Sequence, residues 1–188
     1  MSTRSRGVTL VELIVFIVIV GVALAGLFAA FNTITAASAD PQVRKQVLAI
    51  AESLMDEIML KPFTYCDPDD ANAATAADST GCAVAANRED VTIGPEAGET
   101  RTSTTTPFDN VSDYHGFAMG PGIDDSTGTT IAGLGAYSAS VAVTRAGTSL
   151  GLPLDDDALR ISITVTGPGS VSTTLDGYRA RYAPNTLP

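Results

Sequence analysis

Hydrophobic positions fall into three regimes along this chain: an unbroken apolar run, a helical period, and then an alternating pattern. From Leu13 to Phe31 no side chain is charged, a run long enough to cross a hydrocarbon core as a helix. Beyond it, "SADPQVRKQVLAIAESLMDEIML" places Val43, Val47, Ile50, Leu54 and Ile58 three or four apart, which marks one apolar helix face. Asp40-Pro41 reads either as an N-cap and first helical position or as a kink in one long helix. The expectation is a continuous helix with a kink or short break there, ended by Pro62.

In "YSASVAVTR", Tyr137, Ala139, Val141 and Val143 share one side, and in "LRISITVTG" so do Leu159, Ile161, Ile163 and Val165. These are the period-two patterns of strands with one buried face. "GPGS" (Gly167 to Ser170) is a turn into a third strand from Val171. Asp176-Gly177 fits a second hairpin turn or a bulge. The reading adopted is a bulged long strand that turns Leu175 and then Tyr178, Ala180 and Tyr182 inward. A helix that must cover its apolar stripe and a sheet with one apolar face predict an α+β fold: a long N-terminal helix, half transmembrane and half amphipathic, packed on a small antiparallel sheet. The stretch between them, from Cys66 to Ile131, is loop-like, and a loop of that length is functional or poorly ordered.

Length and charge narrow the function. The 188 residues suit one domain plus an appendage. A net charge of −10 argues against nucleic acid, because phosphate binding needs a basic face. His115 is the only histidine, and with no cysteine or acid at catalytic spacing it reads as structural. No P-loop, dinucleotide fingerprint or zinc-helix motif is present. The acidic groups Asp67/Asp69/Asp70, Asp124/Asp125 and Asp155 to Asp157 offer oxygen ligands of the kind calcium takes. None matches an EF-hand loop, and solvated charge is the preferred reading. No catalytic residue, metal site or cofactor is expected, and no enzyme activity.

Glu12 is the only charge between Arg6 and Asp40, and a charged side chain at the centre of a bilayer helix costs roughly 2.5–3.5 kcal/mol. Arg4 and Arg6 precede the apolar run and no basic cluster follows directly, so the N-terminus stays cytoplasmic and the remainder is exported. Export makes a disulfide the natural reading of Cys66 and Cys82, with about 3 kcal/mol from loop closure; two buried free thiols are the alternative. Three readings of the run compete. A secretory signal peptide has a candidate cut site in "ALA" at Ala23 to Ala25, but the apolar run continues past it. A plain anchor explains the length and leaves Glu12 without a role. A cut between Gly7 and Val8 removes both arginines and creates an α-amine one helical turn from Glu12. Between chains, that amine and the carboxylate can pair in a low-dielectric interior and set the register of packed helices. Small residues at Gly21, Ala25 and Ala29, with Gly26 and Ala30 beside them, also permit close helix approach.

"RGVTLVELIVFIVIVGVALAG" resembles the N-terminal signature of type IV pilins and type II secretion pseudopilins: a short basic leader, Gly before the cut, Glu four residues beyond the new terminus, and an apolar helix. Val8 stands where that family most often has Phe or Met. "LRISITVTGPGSVSTTLDGYRARYAPN" together with "QVLAIAESLMDEIMLKPFTYC" resembles the MshD-type minor pilins of mannose-sensitive haemagglutinin (MSHA) pili. The resemblance implies a leader at residues 1–7, a transmembrane and assembly helix at 8–31, an amphipathic helix at 32–61, a disulfide-containing loop region at 62–136 and the sheet of the head at 137–188. It further implies cleavage after Gly7 by a prepilin peptidase, N-methylation of Val8, and docking through Glu12 onto other pilin subunits. The chain would sit in the inner membrane with a periplasmic head, meet the assembly machinery there, and pass into a pilus filament. The runner-up functions are a type II secretion pseudopilin and an anchored or secreted ligand-binding domain.

Overall fold

In the computed structural model residues 7, 9–89 and 93–187 are described, with the side chains of 33–40 outside that description. One helix, α1, runs from Leu10 to Met59 and includes Pro41. Proline removes one hydrogen bond from a helix interior, and the residues on both sides of Pro41 are helical. The helix ends ahead of Pro62 by tightening, with Lys61 N–H donating to the Ile58 carbonyl at 3.0 Å. The chain divides into two compact units, Met1–Gln42 and Val43–Pro188.

The first unit is the apolar part of α1. Leu10–Asn32 spans 23 residues with mean hydropathy 3.0, and none of it is buried. Its large side chains are exposed all around the helix, from Val20 at 36% to Leu10 at 76%. A helix that is apolar on every side requires lipid or other chains around it.

The second unit holds the core. Val47, Ile50, Leu54 and Ile58 are buried with Ala51 and Met55 between them, and Val43 packs against the same cluster. Each such side chain contributes about 1.5–3 kcal/mol on full burial. They face an antiparallel sheet of order β1-β2-β3-β4, formed by Ala118–Met119, Ser138–Arg145, Ala158–Thr166 and Ser172–Ala180. The register pairs Ala139 with Val165, Val141 with Ile163 and Val143 with Ile161. All of these lie on the buried face, as the alternation requires.

Two features differ from the pattern-based expectation. A fourth strand, β1, pairs Ala118 with Ser140 and Met119 with Ala139; two residues carry no periodicity to read. The last strand has no bulge. Its pairing with β3 is continuous through Ser162↔Asp176 and Ile161↔Gly177, so Leu175, Gly177, Arg179 and Arg181 face inward while Tyr178, Ala180 and Tyr182 point out. The physical reason lies in the helix: a Cβ on Gly177 would sit 2.7 Å from Met55 Sδ, and one on Gly167 would sit 3.0 Å from Val43 and Val47. Both glycines admit α1 to the sheet. Further along, Arg181 covers the apolar ground itself, its guanidinium 4.1 Å from the Phe63 ring centre and 4.9 Å from that of Tyr65.

Apart from β1 and short helical turns, the described residues between Pro62 and Tyr137 are irregular, but they are not peripheral. Phe63, Phe108, Val111, Tyr114, Met119 and Ile123 join the main core, and Phe108, Tyr114 and Phe117 meet edge to face at 5.1–6.1 Å.

Candidate functional site

The start of α1 is built by Thr9. Its hydroxyl accepts the Glu12 N–H at 3.3 Å and its carbonyl accepts the Leu13 N–H at 3.1 Å. Thr9 therefore occupies the N-cap and Glu12 the third helical position, the arrangement in which a hydroxyl satisfies an orphan amide and an acid complements the helix dipole. "TLVE" carries this signal in the sequence, and the apolar-run reading passed over it. Glu12 is exposed, with its carboxylate free to meet a neighbour. Gly7 is exposed too, and a Cβ there would touch nothing within 4 Å, so the folded chain itself imposes no demand for glycine at that position. Arg4, Arg6 and Val8, on which the basic leader and the methylated terminus rest, lie outside the described residues. Gly21 and Gly26 likewise have open space where a Cβ would stand, a surface on which a second helix can approach closely.

In the head, Cys66 and Cys82 are joined as a disulfide, 16 residues apart in sequence. The bridge seats a second small core of Cys66, Ala73 and Ala76. Asn185 near the C-terminus holds this loop from outside, donating to the carbonyls of Ala73 at 3.0 Å and Ala76 at 2.9 Å. Asp70 organises it from within, accepting the N–H groups of Asn72, Ala83 and Val84 at 2.9–3.0 Å.

The acidic groups of the sequence separate by environment. Asp125 accepts the N–H groups of Thr127 and Thr129 at 2.8 and 2.9 Å, and Asp155 accepts Thr148 N–H at 3.2 Å and its hydroxyl at 2.8 Å. These are turn-forming carboxylates at the surface. Asp67 and Asp70 are different: they are 2% and 6% exposed, so the reading of Asp67/Asp69/Asp70 as a solvated run holds only for Asp69. His115 is exposed, and its Nδ1 accepts the Val143 N–H at 3.1 Å, a structural bond to β2.

Residues 2–28 match the family model described as the prokaryotic N-terminal methylation motif. No curated protein and no solved structure matches the chain. The matched segment takes in Gly7, Val8 and Glu12 and most of the exposed apolar helix. This chain thus carries, ahead of an α+β head, a prokaryotic N-terminal methylation motif.

Proposed function

We propose that the chain is a minor pilin precursor, cut between Gly7 and Val8 by a prepilin peptidase, N-methylated at Val8, and assembled through its N-terminal helix into an MSHA-like type IV pilus or its initiation complex, where it supports adhesion. The observation that carries this reading is the coincidence of the methylation motif with a helix whose whole circumference is apolar and exposed. Lipid satisfies such a helix before assembly, and neighbouring subunit helices satisfy it afterwards. The inner membrane holds the precursor with its head in the periplasm, where the Cys66–Cys82 disulfide persists. The role is structural. The resemblance of the head segments to MshD-type minor pilins directs the reading to a pilus, with a type II secretion pseudopilus as the alternative.

Intact mass and N-terminal sequencing of protein recovered from its native membrane test the reading. A chain that begins at N-methylated Val8 supports it. A start after Ala25 makes the run an ordinary signal peptide, and retention of Met1 makes it a plain anchor.

A further inference from the structure

The loops that join α1 to the sheet bring six carboxylates to one place: Asp67, Glu89, Glu96, Glu99, Asp109 and Asp113. They form three triads, Asp67–Glu99–Asp109, Asp67–Glu89–Glu96 and Glu96–Glu99–Asp113, and within each the oxygens lie within 4.8 Å of one another. Asp67, Glu96 and Glu99 each belong to two triads, so the six make one continuous cluster. Two ligands of a calcium ion, each roughly 2.3–2.6 Å from it, are at most about 5 Å apart, and each triad meets that limit.

The chain fixes these groups in a common posture. Asp67 Oδ1 accepts the Asp69 N–H at 2.7 Å, and Asp113 Oδ2 accepts the N–H groups of Asp109 at 2.8 Å and Asn110 at 2.6 Å. Glu89 Oε2 accepts the Ser112 hydroxyl. In each the second oxygen, Asp67 Oδ2, Asp113 Oδ1 and Glu89 Oε1, is buried and accepts no bond from any described N–H or hydroxyl; Glu96 Oε2 and Asp109 Oδ1 share that state. Asp113, Asp67 and Glu89 are 0%, 2% and 4% exposed. One oxygen anchored and the other bare is how a protein orients a metal-binding carboxylate, whereas bare buried anions facing one another are costly. A divalent cation inverts that balance.

We propose that this cluster is a calcium site. The donors are all hard carboxylate oxygens, without imidazole or thiolate, which selects an alkaline-earth ion over zinc or copper. Calcium accepts six to eight oxygens in loose geometry, while magnesium demands a near-ideal octahedron and keeps its waters. The ion would staple three loops: the segment after Cys66, the turn at Glu96–Glu99, and the Asp109–Tyr114 segment whose Val111 and Tyr114 lie in the core. The proposal does not depend on the pilin reading, because it rests on the head alone.

Equilibrium dialysis of the full chain in detergent micelles, stripped with EDTA and then exposed to radioactive calcium, tests it directly. Binding at sub-millimolar calcium is expected, at least tenfold weaker competition by magnesium, and a higher melting temperature in calcium than in EDTA. Glu99→Gln combined with Asp109→Asn should weaken binding at least tenfold, and Asp125→Asn, in the separate surface turn, should leave it unchanged. Should the double variant fail to fold, the wild-type measurement still decides. No bound calcium at about 5 mM, or a melting shift that sodium at matched ionic strength reproduces, overturns the proposal.

Discussion

Arg101 grips Glu57 with both arms of its guanidinium, Nε to Oε1 and Nη2 to Oε2, each at 2.7 Å, across 44 residues of sequence. Tyr114 donates its hydroxyl to the same Oε1 at 2.8 Å. The remaining guanidinium nitrogen donates to the Asp125 carbonyl at 2.8 Å, and the Phe117 ring centre lies 5.6 Å from the charge. A loop with no regular structure is thereby fastened to the second half of α1.

Removing one partner of this pair should be costly. The Arg101 side chain is 7% exposed and that of Glu57 25%, so Arg101→Met leaves a half-buried carboxylate with only the Tyr114 hydroxyl. We expect a loss of about 2–3 kcal/mol, below the figure for fully buried pairs because Glu57 keeps some water. Urea denaturation of the two proteins measures it. The double variant Glu57→Gln/Arg101→Met should lose less than the sum of the single losses; strict additivity would show that the bidentate contact contributes nothing.

The same pair predicts a pH dependence. Burial alone raises the Glu57 carboxyl, but the Arg101 and Tyr114 hydrogen bonds and the Arg101 charge outweigh it and hold the group below its ordinary value of 4.5. A depressed carboxyl contributes stability above its unfolded value, and that contribution is lost as the pH falls through the folded value. The stability difference between wild type and Glu57→Gln should therefore be full at pH 7 and shrink steadily below about 4.5. Both proteins carry the same acidic cluster, which cancels in the difference. A difference that stays constant from pH 7 to 3 would contradict the coupling.

Gly177 makes a packing prediction. A side chain there must displace Met55, whose Sδ and Cε lie 2.7 and 2.9 Å from the Cβ position. Because methionine is flexible, Gly177→Ala should be mild, whereas Gly177→Val should cost about 1–3 kcal/mol through overpacking between helix and sheet. Met55→Ala in the Gly177→Val background should recover part of the loss. If it recovers none, the glycine serves the strand rather than the helix contact. Thermal melts of the four proteins separate these outcomes.

How far the sequence could be read follows from which signals were periodic. Val47 to Ile58 and Leu159 to Val165 announced their buried faces, because a repeated spacing survives any tertiary context. Asp176-Gly177 was misread because a glycine required by a distant helix looks locally like a glycine required by a turn. Nothing near Gly177 in sequence names Met55. The same holds for Arg101 and Glu57, and for the carboxylates from Asp67 to Asp113: each is an ordinary polar residue of a loop until the fold converges them. At the N-terminus the legible signal was chemical, a single acid in an apolar run, and "TLVE" added a helix cap that only the geometry brought out.

That cap separates two roles for Glu12. As the third residue of α1 it complements the helix dipole, worth about 0.3–1 kcal/mol, and glutamine fills the same position in a capping box. Pairing with the amine of a neighbouring subunit needs the charge. Glu12→Ala and Glu12→Gln should both be cut after Gly7 and remain in the membrane, and both should be impaired in filament incorporation, counted in sheared fractions. If Glu12→Gln assembles normally while Glu12→Ala does not, the residue acts through the helix terminus and intersubunit charge pairing is wrong. Thr9→Ala supplies the converse test, because it removes the hydroxyl that accepts the Glu12 N–H and leaves the carboxylate in place. It should assemble nearly as wild type if charge governs docking, and fail with Glu12→Ala if the cap does.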